Sequence, residues 1–117
     1  MSSRRSSPKT AHDVYSNLVH FYVLHHACYK PTFGLQIIEE LARLGYKVSP
    51  GTVYPLLEGL EERGVLRSRQ VRRGRTVRKL YRTTAAGRDV YIDAKEHIDK
   101  LLDAMWGKAA KKASKLY

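Results

Sequence analysis

The sequence lacks several features that would point to common classes of protein. It has one cysteine, Cys28, among 117 residues, so no intrachain disulfide can form and a reducing compartment is expected. Its most apolar run, residues 18–29, is shorter than the roughly 20 residues that span a bilayer and contains three histidines. No apolar segment follows the basic start at Arg4 and Arg5, so no secretory signal is expected. These absences favour a cytoplasmic protein without a membrane span.

Acidic residues are also scarce. The chain has 11 Asp and Glu against 22 Lys and Arg, which gives a formal net charge of +11 and a pI near 10.0. Such an excess favours a polyanionic partner, either nucleic acid or an anionic membrane surface, and charge alone does not choose between them. A chain of this length is expected to form one compact domain and one appendage.

The motifs of common enzyme classes are absent as well. The sequence contains no P-loop, no nucleophile elbow and no H-E-x-x-H motif. The acidic pairs at residues 39–40 and 61–62 are adjacent in sequence, so their side chains diverge on a helix and do not form a catalytic pair. We therefore predict that the protein is not an enzyme and that it uses no cofactor.

A metal site is the other kind of functional site to consider, because three histidines and Cys28 lie close together in sequence. However, His25 and His26 point about 100° apart on a helix, and no carboxylate lies nearby in the sequence. We interpret these residues as core and boundary positions and predict no metal site.

Residues 49–57, S-P-G-T-V-Y-P-L-L, form the strongest positive signal. Ser49 is a favourable N-cap whose side chain can bond the first free N–H groups, and Pro50 suits the first helical position. The pattern predicts a helix over residues 50–63, with an outward face of small polar groups and one tyrosine that suits a DNA groove. Pro55 predicts a bend or a loose first turn. Core-facing spacing places four residues inward: Val53, Leu56, Leu57 and Leu60.

Two helices are predicted before this one. A first helix should run from His12 until Pro31 stops it, and a second should span residues 33–44 with Gly45 as its left-handed cap. The second and third helices then form a helix-turn-helix pair. The first helix is predicted to turn inward Val14, Leu18, Phe21, Tyr22 and His25 or Cys28. The second is predicted to turn inward Leu35, Ile38, Leu41 and Ala42 or Leu44.

Residues 65–72 and 76–83 are β-prone segments on either side of Arg73-Gly74-Arg75, which predicts a β-hairpin with glycine at its turn. No acidic residue lies between Glu62 and Asp89, whereas a solvated hairpin would normally mix charges. This composition favours phosphate contact by a wing. The hairpin cations are Arg67, Arg69, Arg72, Arg73, Arg75, Arg78, Lys79 and Arg82.

A fourth helix is predicted from residue 85 to Ser114 or beyond, capped by Thr84 and about 45 Å long. That length exceeds what the small body can cover, so we expect the first helix of a second copy to pack against it in a two-fold dimer. Gly107 should weaken the helix after Trp106, so residues 108–117 are expected to fray. Two apolar stripes follow the helix: Tyr91, Ala94, Ile98, Leu101 and Met105, and Leu102, Trp106, Ala109, Ala113 and Leu116.

Residues 22–106 together resemble the PadR-like transcriptional regulators, in the small subfamily with a single C-terminal helix. Residues 49–57 are the most specific part, because two prolines in one helical segment are unusual. The sequence departs from the family at Leu35, where a tyrosine or similar residue is usual, and at Thr76 and Val77, where the wing often has Pro or a Lys-Arg pair. Further parts of the resemblance are residues 33–37, 60–66 and 79–84, and Gly87.

The combined prediction is a mainly α protein with a small β-hairpin. A disordered basic tail (residues 1–10) precedes a winged helix-turn-helix DNA-binding domain (residues 11–84) and a long C-terminal dimerisation helix (residues 85–117). The resemblance implies a cytoplasmic, nucleoid-associated homodimer that binds a pseudo-palindromic operator in double-stranded DNA, usually as a repressor. It further implies release by a small aromatic or drug-like molecule near the dimer interface.

Candidate site residues follow from these elements. DNA contacts are predicted from Ser49, Gly51, Thr52 and Tyr54 on the third helix, and from Arg67, Arg72, Arg73, Arg75, Arg78 and Lys79 on the hairpin. Alternatively, Ser49 only caps the helix and Tyr54 packs against the wing, and some hairpin cations must face the other way. An effector pocket or dimer interface is predicted from Tyr15, Leu18, Val19, Leu102, Met105 and Trp106. For Trp106, a lone tryptophan on an apolar stripe, a simple dimer core is the favoured interpretation over a ligand contact.

Two alternatives from other classes stay open. The first is a basic protein that coats nucleic acid without sequence preference, which the charge supports. The second is an interaction module whose long helix docks another protein. Binding to one duplex far above a scrambled control would exclude the first, and a stable homodimer would exclude the second.

Overall fold

The computed structural model describes residues 8–116, and side chains are described for residues 13–107. Of the predicted basic tail, residues 1–7 lie outside the described part, and residues 8–10 belong to the first helix. None of the described helices is long and apolar enough to cross a bilayer. The elements, in order, are α1 (Pro8–Tyr29), β1 (Thr32–Phe33), α2 (Gly34–Arg43), α3 (Pro50–Glu62), β2 (Leu66–Arg73), β3 (Thr76–Thr83) and α4 (Ala85–Leu116).

The core lies where α1, α2 and α3 meet the base of a small sheet. Val23, Ile37, Val53 and Leu57 are fully inaccessible to solvent, and Tyr81 of β3 is nearly so. The predicted inward face of α3 is confirmed, since all four of its residues are buried. This helix is the best-specified part of the core because its apolar spacing has one unambiguous inward side.

The inward faces predicted for α1 and α2 are partly wrong. In α2 the buried residues are Gly34, Ile37 and Leu41, whereas Leu35 and Leu44 are exposed. Both helices have apolar residues on more than one side, so the spacing alone did not select the correct face. In α1 the buried residues are Val19, Val23, Leu24 and Ala27, while Val14 and Leu18 are exposed and Phe21, Tyr22 and Cys28 pack at the edge of the core.

The sheet has three antiparallel strands in the order β1-β3-β2. Its hairpin confirms the prediction, with Gly74 and Arg75 as a two-residue turn between the paired residues Arg73 and Thr76. Gly74 has a φ of 60°, which two-residue hairpin turns require and glycine adopts at little cost. Strand β1 was not predicted, because two residues are too short to show a periodic pattern.

Close contacts join the end of α3, the start of β2 and the start of α4. As predicted, Thr84 caps α4: its hydroxyl accepts a hydrogen bond from the Gly87 N–H (2.9 Å) and donates one to the Gly64 carbonyl (2.7 Å). The Thr84 N–H donates to the Val65 carbonyl (3.1 Å). We call residues 64–65 and 83–87 the α3–α4 junction.

Helix α4 packs on α1 near its own start and then extends away from the body. The Tyr91 ring is buried and stacks on the Phe21 ring, with the two ring centroids 5.3 Å apart. Its hydroxyl is hydrogen-bonded to the His25 ring. Burial raises the pKa of the Tyr91 hydroxyl. Gly107 has non-helical dihedral angles (φ 61°, ψ −156°), so the helix is kinked at the residue where weakness was predicted. The predicted fraying of residues 108–117 stays a prediction, and their side chains lie outside the described ones.

Three polar side chains join α2 to α1: His26 and Tyr22 of α1 and Glu40 of α2. The His26 ring is 2.8 Å from one Glu40 oxygen, and the Tyr22 hydroxyl donates to the other at 3.1 Å. Burial alone would raise the pKa of the Glu40 carboxyl, but the hydrogen bonds from His26 and Tyr22 outweigh burial and lower it. The carboxylate that the sequence did not place near His26 therefore comes from α2.

We expect Gly87→Ala to destabilise the fold. An added Cβ would overlap the Val65 carbonyl oxygen and the Thr83 hydroxyl, so the junction would have to open. Such overpacking costs about 1–3 kcal/mol in the free energy of unfolding, measurable by urea denaturation. The matched control is Gly59→Ala in α3, where nothing lies within 4 Å of the added Cβ. It should raise stability by about 1 kcal/mol, and equal effects of the two substitutions would contradict the close approach.

Candidate nucleic-acid interface

The first turn of α3 presents polar groups to solvent. Ser49 and Gly51 are exposed and Thr52 is half-buried. The predicted side-chain cap is wrong, because the Ser49 hydroxyl bonds no backbone N–H and instead lies 3.3 Å from the Thr52 hydroxyl. The N–H groups of Thr52 and Val53 bond the Ser49 carbonyl, so the helix begins there without the hydroxyl. Both hydroxyls therefore lie at the surface of the helix start.

Pro55 lies on the exposed side of α3, and the helix continues through it to Glu62. Proline has no backbone N–H, so Pro55 cannot donate the helical hydrogen bond to the Gly51 carbonyl. Gly51 itself has room for a side chain, since an added Cβ would meet only the Ser49 hydroxyl at an ordinary 3.6 Å. Packing within the described residues therefore does not require glycine at position 51.

Tyr54 is positioned by Gly34 of α2. A Cβ on Gly34 would lie 2.5 Å from Tyr54 Cε1 and 3.2 Å from Leu57 Cδ1, so only glycine lets the ring rest on the start of α2. The ring also borders a cleft of about 230 Å³ with Lys79 and Tyr81 of the wing, and it stays 41% exposed. Tyr54 thus packs on one side and is open on the other. No pattern in the sequence indicated this role of Gly34.

The hairpin has two faces, because successive side chains of a strand point to opposite sides. The face that includes the buried residues Leu66, Tyr81 and Thr83 is turned toward α3, and we call it the inner face. The strand register assigns to it Leu66, Ser68, Gln70, Arg72, Val77, Lys79, Tyr81 and Thr83. The outer face has Arg67, Arg69, Val71, Arg73, Thr76, Arg78, Leu80 and Arg82.

The six cations predicted to contact DNA are therefore divided between surfaces. Arg72 and Lys79 lie on the inner face, and Arg75 lies in the turn. Arg67 and Arg73 lie on the outer face, and so does Arg78 by register, although Arg78 also lines the cleft beside Tyr54. Arg72, Arg75 and Lys79, together with Arg78 at the edge of this cleft, therefore extend the surface that begins at Ser49, Gly51, Thr52 and Tyr54.

Glu61 holds the inner face against α3. Its carboxylate accepts hydrogen bonds from the Ser68 N–H (3.0 Å) and from the Ser68 hydroxyl (2.8 Å). Next to it, burial raises the pKa of the Tyr81 hydroxyl, and the charges of Glu61 and Glu58 add to the effect. These contacts join the base of the wing to the last turn of α3, and no spacing in the sequence indicated them.

The residues predicted for an effector pocket are only partly brought together. Tyr15 and Val19 line a cleft of about 440 Å³ that also reaches Ser49 and Thr52, and the Tyr15 ring packs edge-on against Tyr46 at 6.5 Å. Leu18 and Val19 line a neighbouring cleft of about 370 Å³. Three further predicted residues line neither cleft and lie exposed on α4: Leu102, Met105 and Trp106.

Comparison with known proteins identifies the family. Residues 23–93 match the model of the transcriptional regulator PadR-like family. The chain is 38% identical over 89 residues to Transcriptional regulator Rv3488 of Mycobacterium tuberculosis, covering 76% of this chain and 83% of that protein.

Solved structures of relatives have the same fold. A PadR family transcriptional regulator from Eggerthella lenta superposes with a TM-score of 0.74 at 28% identity, over 87% of this chain and 89% of that one. Bacillus subtilis PadR in complex with operator DNA superposes with a TM-score of 0.61 at 21% identity, over 65% of this chain and 46% of that one. Proteins of this family are transcriptional regulators and not enzymes. The chain belongs to the PadR-like family of transcriptional regulators.

Proposed function

We propose that this regulator is a repressor that binds a pseudo-palindromic DNA operator as a homodimer on the nucleoid. The observation that supports this most is the continuous polar and basic surface formed by the first turn of α3, the inner face of the wing and its turn. In winged helices of this kind, a helix enters the major groove while the wing contacts the backbone. The relative from Bacillus subtilis was solved with operator DNA bound.

The first turn of α3 suits close contact with DNA. The hydroxyls of Ser49 and Thr52 lie at the surface, and the partial positive charge of a helix N-terminus favours phosphate. Gly51 is unnecessary for packing, so its lack of a side chain is best explained by the approach of a partner. Tyr54 adds a half-exposed ring and hydroxyl that can reach base edges.

The wing supplies the electrostatic part of the interface. Arg72, Arg75 and Lys79 are exposed around the inner face and the turn. Cations at these positions would neutralise phosphates, while the exposed groups of α3 would discriminate between sequences. The Glu61–Ser68 contacts keep the two parts at a fixed spacing.

The exposed apolar residues support the homodimer. On α4, Leu101, Leu102, Met105 and Trp106 are between 39% and 60% exposed, and on α1 Val14, Tyr15 and Leu18 are more than half exposed. The four α4 residues lie about 15–22 Å along the helix beyond Tyr91, which is the buried contact with α1. A second copy would cover both sets, with α4 of one protomer on α1 of the other.

The cleft between Tyr15 and Tyr46 supports release by a small aromatic or drug-like effector. Its walls include Val19 and Leu56, which are apolar, and also Ser49 and Thr52 of the first turn of α3. A flat molecule in this cleft would touch the same turn that we propose contacts DNA. Binding there would therefore favour one position of α3 over another.

The alternative function is coating of nucleic acid without sequence preference, which the net charge of +11 favours. Binding of the DNA segment upstream of the protein's own coding region, compared with a scrambled duplex at physiological salt, separates the two. We expect the upstream duplex to bind at least about 10³-fold more tightly. If this duplex and several other segments from upstream of coding regions all bind no more tightly than the scrambled duplex, the coating function is supported instead.

We expect Gly51→Ala to weaken operator binding about tenfold, or about 1.4 kcal/mol, without lowering the free energy of unfolding. The added methyl group has room in the free protein but would lie between α3 and a partner. Fluorescence anisotropy measures the affinity, and urea denaturation measures the stability. Gly59→Ala is the matched control, with the same chemical change in the same helix. Unchanged operator affinity in Gly51→Ala would remove this position from the interface.

We expect Trp106→Ala to weaken the homodimer. The side chain is 60% exposed in one chain, so its truncation removes little packing within the protomer but a central contact between protomers. A loss of about 2 kcal/mol corresponds to a roughly 30-fold higher dissociation constant, which sedimentation velocity over a dilution series can measure. Val77→Ala, which truncates an exposed apolar residue of the wing, should leave the constant unchanged. A dimer of unaltered affinity in Trp106→Ala would place the residue outside the interface.

A further inference from the structure

The outer face of the wing is a second basic surface, separate from the one that continues to α3. Every cation on it is an arginine, and all of them are exposed. On β2, Arg67 and Arg69 are two residues apart, or about 7 Å, and Arg73 follows beyond Val71. The five residues are Arg67, Arg69, Arg73, Arg78 and Arg82.

These arginines have no carboxylate partners among the described residues, since none of the ion pairs found there includes a hairpin residue. Glu61, one of the two acidic residues just before the hairpin, is bonded to Ser68 on the inner face. Arg67 lies directly opposite Arg82 in the strand register. Like charges in such a pair destabilise a sheet, and any neutral polar residue at either position would avoid that cost.

The chemistry of the outer face suits phosphate. A guanidinium group donates two parallel hydrogen bonds to a phosphate, which a lysine ammonium cannot do. Near the turn, the Arg73 guanidinium lies over the Phe33 ring of β1 at 5.7 Å, which restricts its motion. Val71 and Leu80 lie between the arginines on the same face. Both are partly buried, so they support the surface that the arginines occupy.

The sheet keeps this face away from a duplex bound at α3. Apart from Arg78, which also lines the cleft beside Tyr54, the side chains of the outer face point to the opposite side of the hairpin from Tyr81, Lys79 and α3. Arginines near the turn could reach around the tip to the same duplex. Arg67, Arg69 and Arg82 lie at the base of the hairpin, far from the turn, so they are the residues that identify a separate contact.

We propose that the outer face binds the phosphate backbone of a second DNA duplex, so that a regulator seated on its operator also holds another DNA segment. The inference rests on the proposed function, in which α3 and the inner face take the operator. The second contact is independent of sequence because it consists only of arginines and phosphates. It explains why the hairpin retains a like-charged pair on the side turned away from α3.

The test measures the two duplexes separately. A duplex selected for binding from a random-sequence pool is immobilised and loaded with the protein, and a fluorescent duplex of scrambled sequence is then added at low salt. The variant is R67Q/R69Q/R82Q. The matched control is R43Q/R63Q/R88Q, which removes the same charge from exposed positions outside the hairpin.

We expect R67Q/R69Q/R82Q to retain at least tenfold less of the fluorescent duplex, with a salt slope smaller by two to three for that duplex, at about 0.9 per phosphate contact. Its affinity for the immobilised duplex should stay within twofold. Its melting temperature should be unchanged or higher, because a like-charged pair is removed. The control should retain the fluorescent duplex like the unmodified protein.

Three outcomes would overturn the proposal. Equal loss on both duplexes would assign the outer face to the operator contact, equal loss in both variants would show an effect of net charge only, and full retention in R67Q/R69Q/R82Q would show that the face does not bind DNA. If the immobilised duplex binds no better than scrambled DNA, operator recognition fails. The comparison of the two variants on the fluorescent duplex still tests the outer face in that case.

Discussion

The close approach of α4 to the start of β2 is the constraint on which the rest of the structure depends. Gly87 admits the Val65 carbonyl and the Thr83 hydroxyl to a distance that no side chain would allow. The Thr84 hydroxyl then accepts a hydrogen bond from the Gly87 N–H in the first turn of α4 and donates one to the carbonyl of Gly64, just after α3. This junction joins the residues that follow α3, the start of the wing and the start of α4.

Smaller contacts join the neighbouring elements. Glu61 joins the inner face to α3, Gly34 seats Tyr54 on α2, and Tyr91 joins α4 to α1. In the proposed dimer, the spacing between the two copies of α3 would therefore be set through α4 rather than by loops. Half-sites about one turn of DNA apart require such rigidity, because a small change in the distance between the two copies of α3 would move one of them out of its half-site.

The sequence predicted those features that depend on local chemistry. The buried face of α3, the Thr84 cap and the hairpin turn at Gly74 each follow from a few neighbouring residues. The inward faces of α1 and α2 do not follow from neighbouring residues, because both helices are apolar on more than one side. Only the elements that pack against each helix decide which side is buried. Strand β1 and the Glu61–Ser68 contact depend on residues that meet only after folding, so no pattern in the chain could show them.

The hairpin also changes how the net charge should be interpreted. Its eight cations are a strong sign of a nucleic-acid partner, but strand alternation places five of them on the outer face. If all eight contacted one duplex, the logarithm of affinity would fall with the logarithm of salt with a slope of about −7 per protomer, whereas Arg72, Arg75, Arg78 and Lys79 alone give about −3.6. A basic composition therefore indicates the kind of partner, while the strand register decides how many charges one duplex can reach.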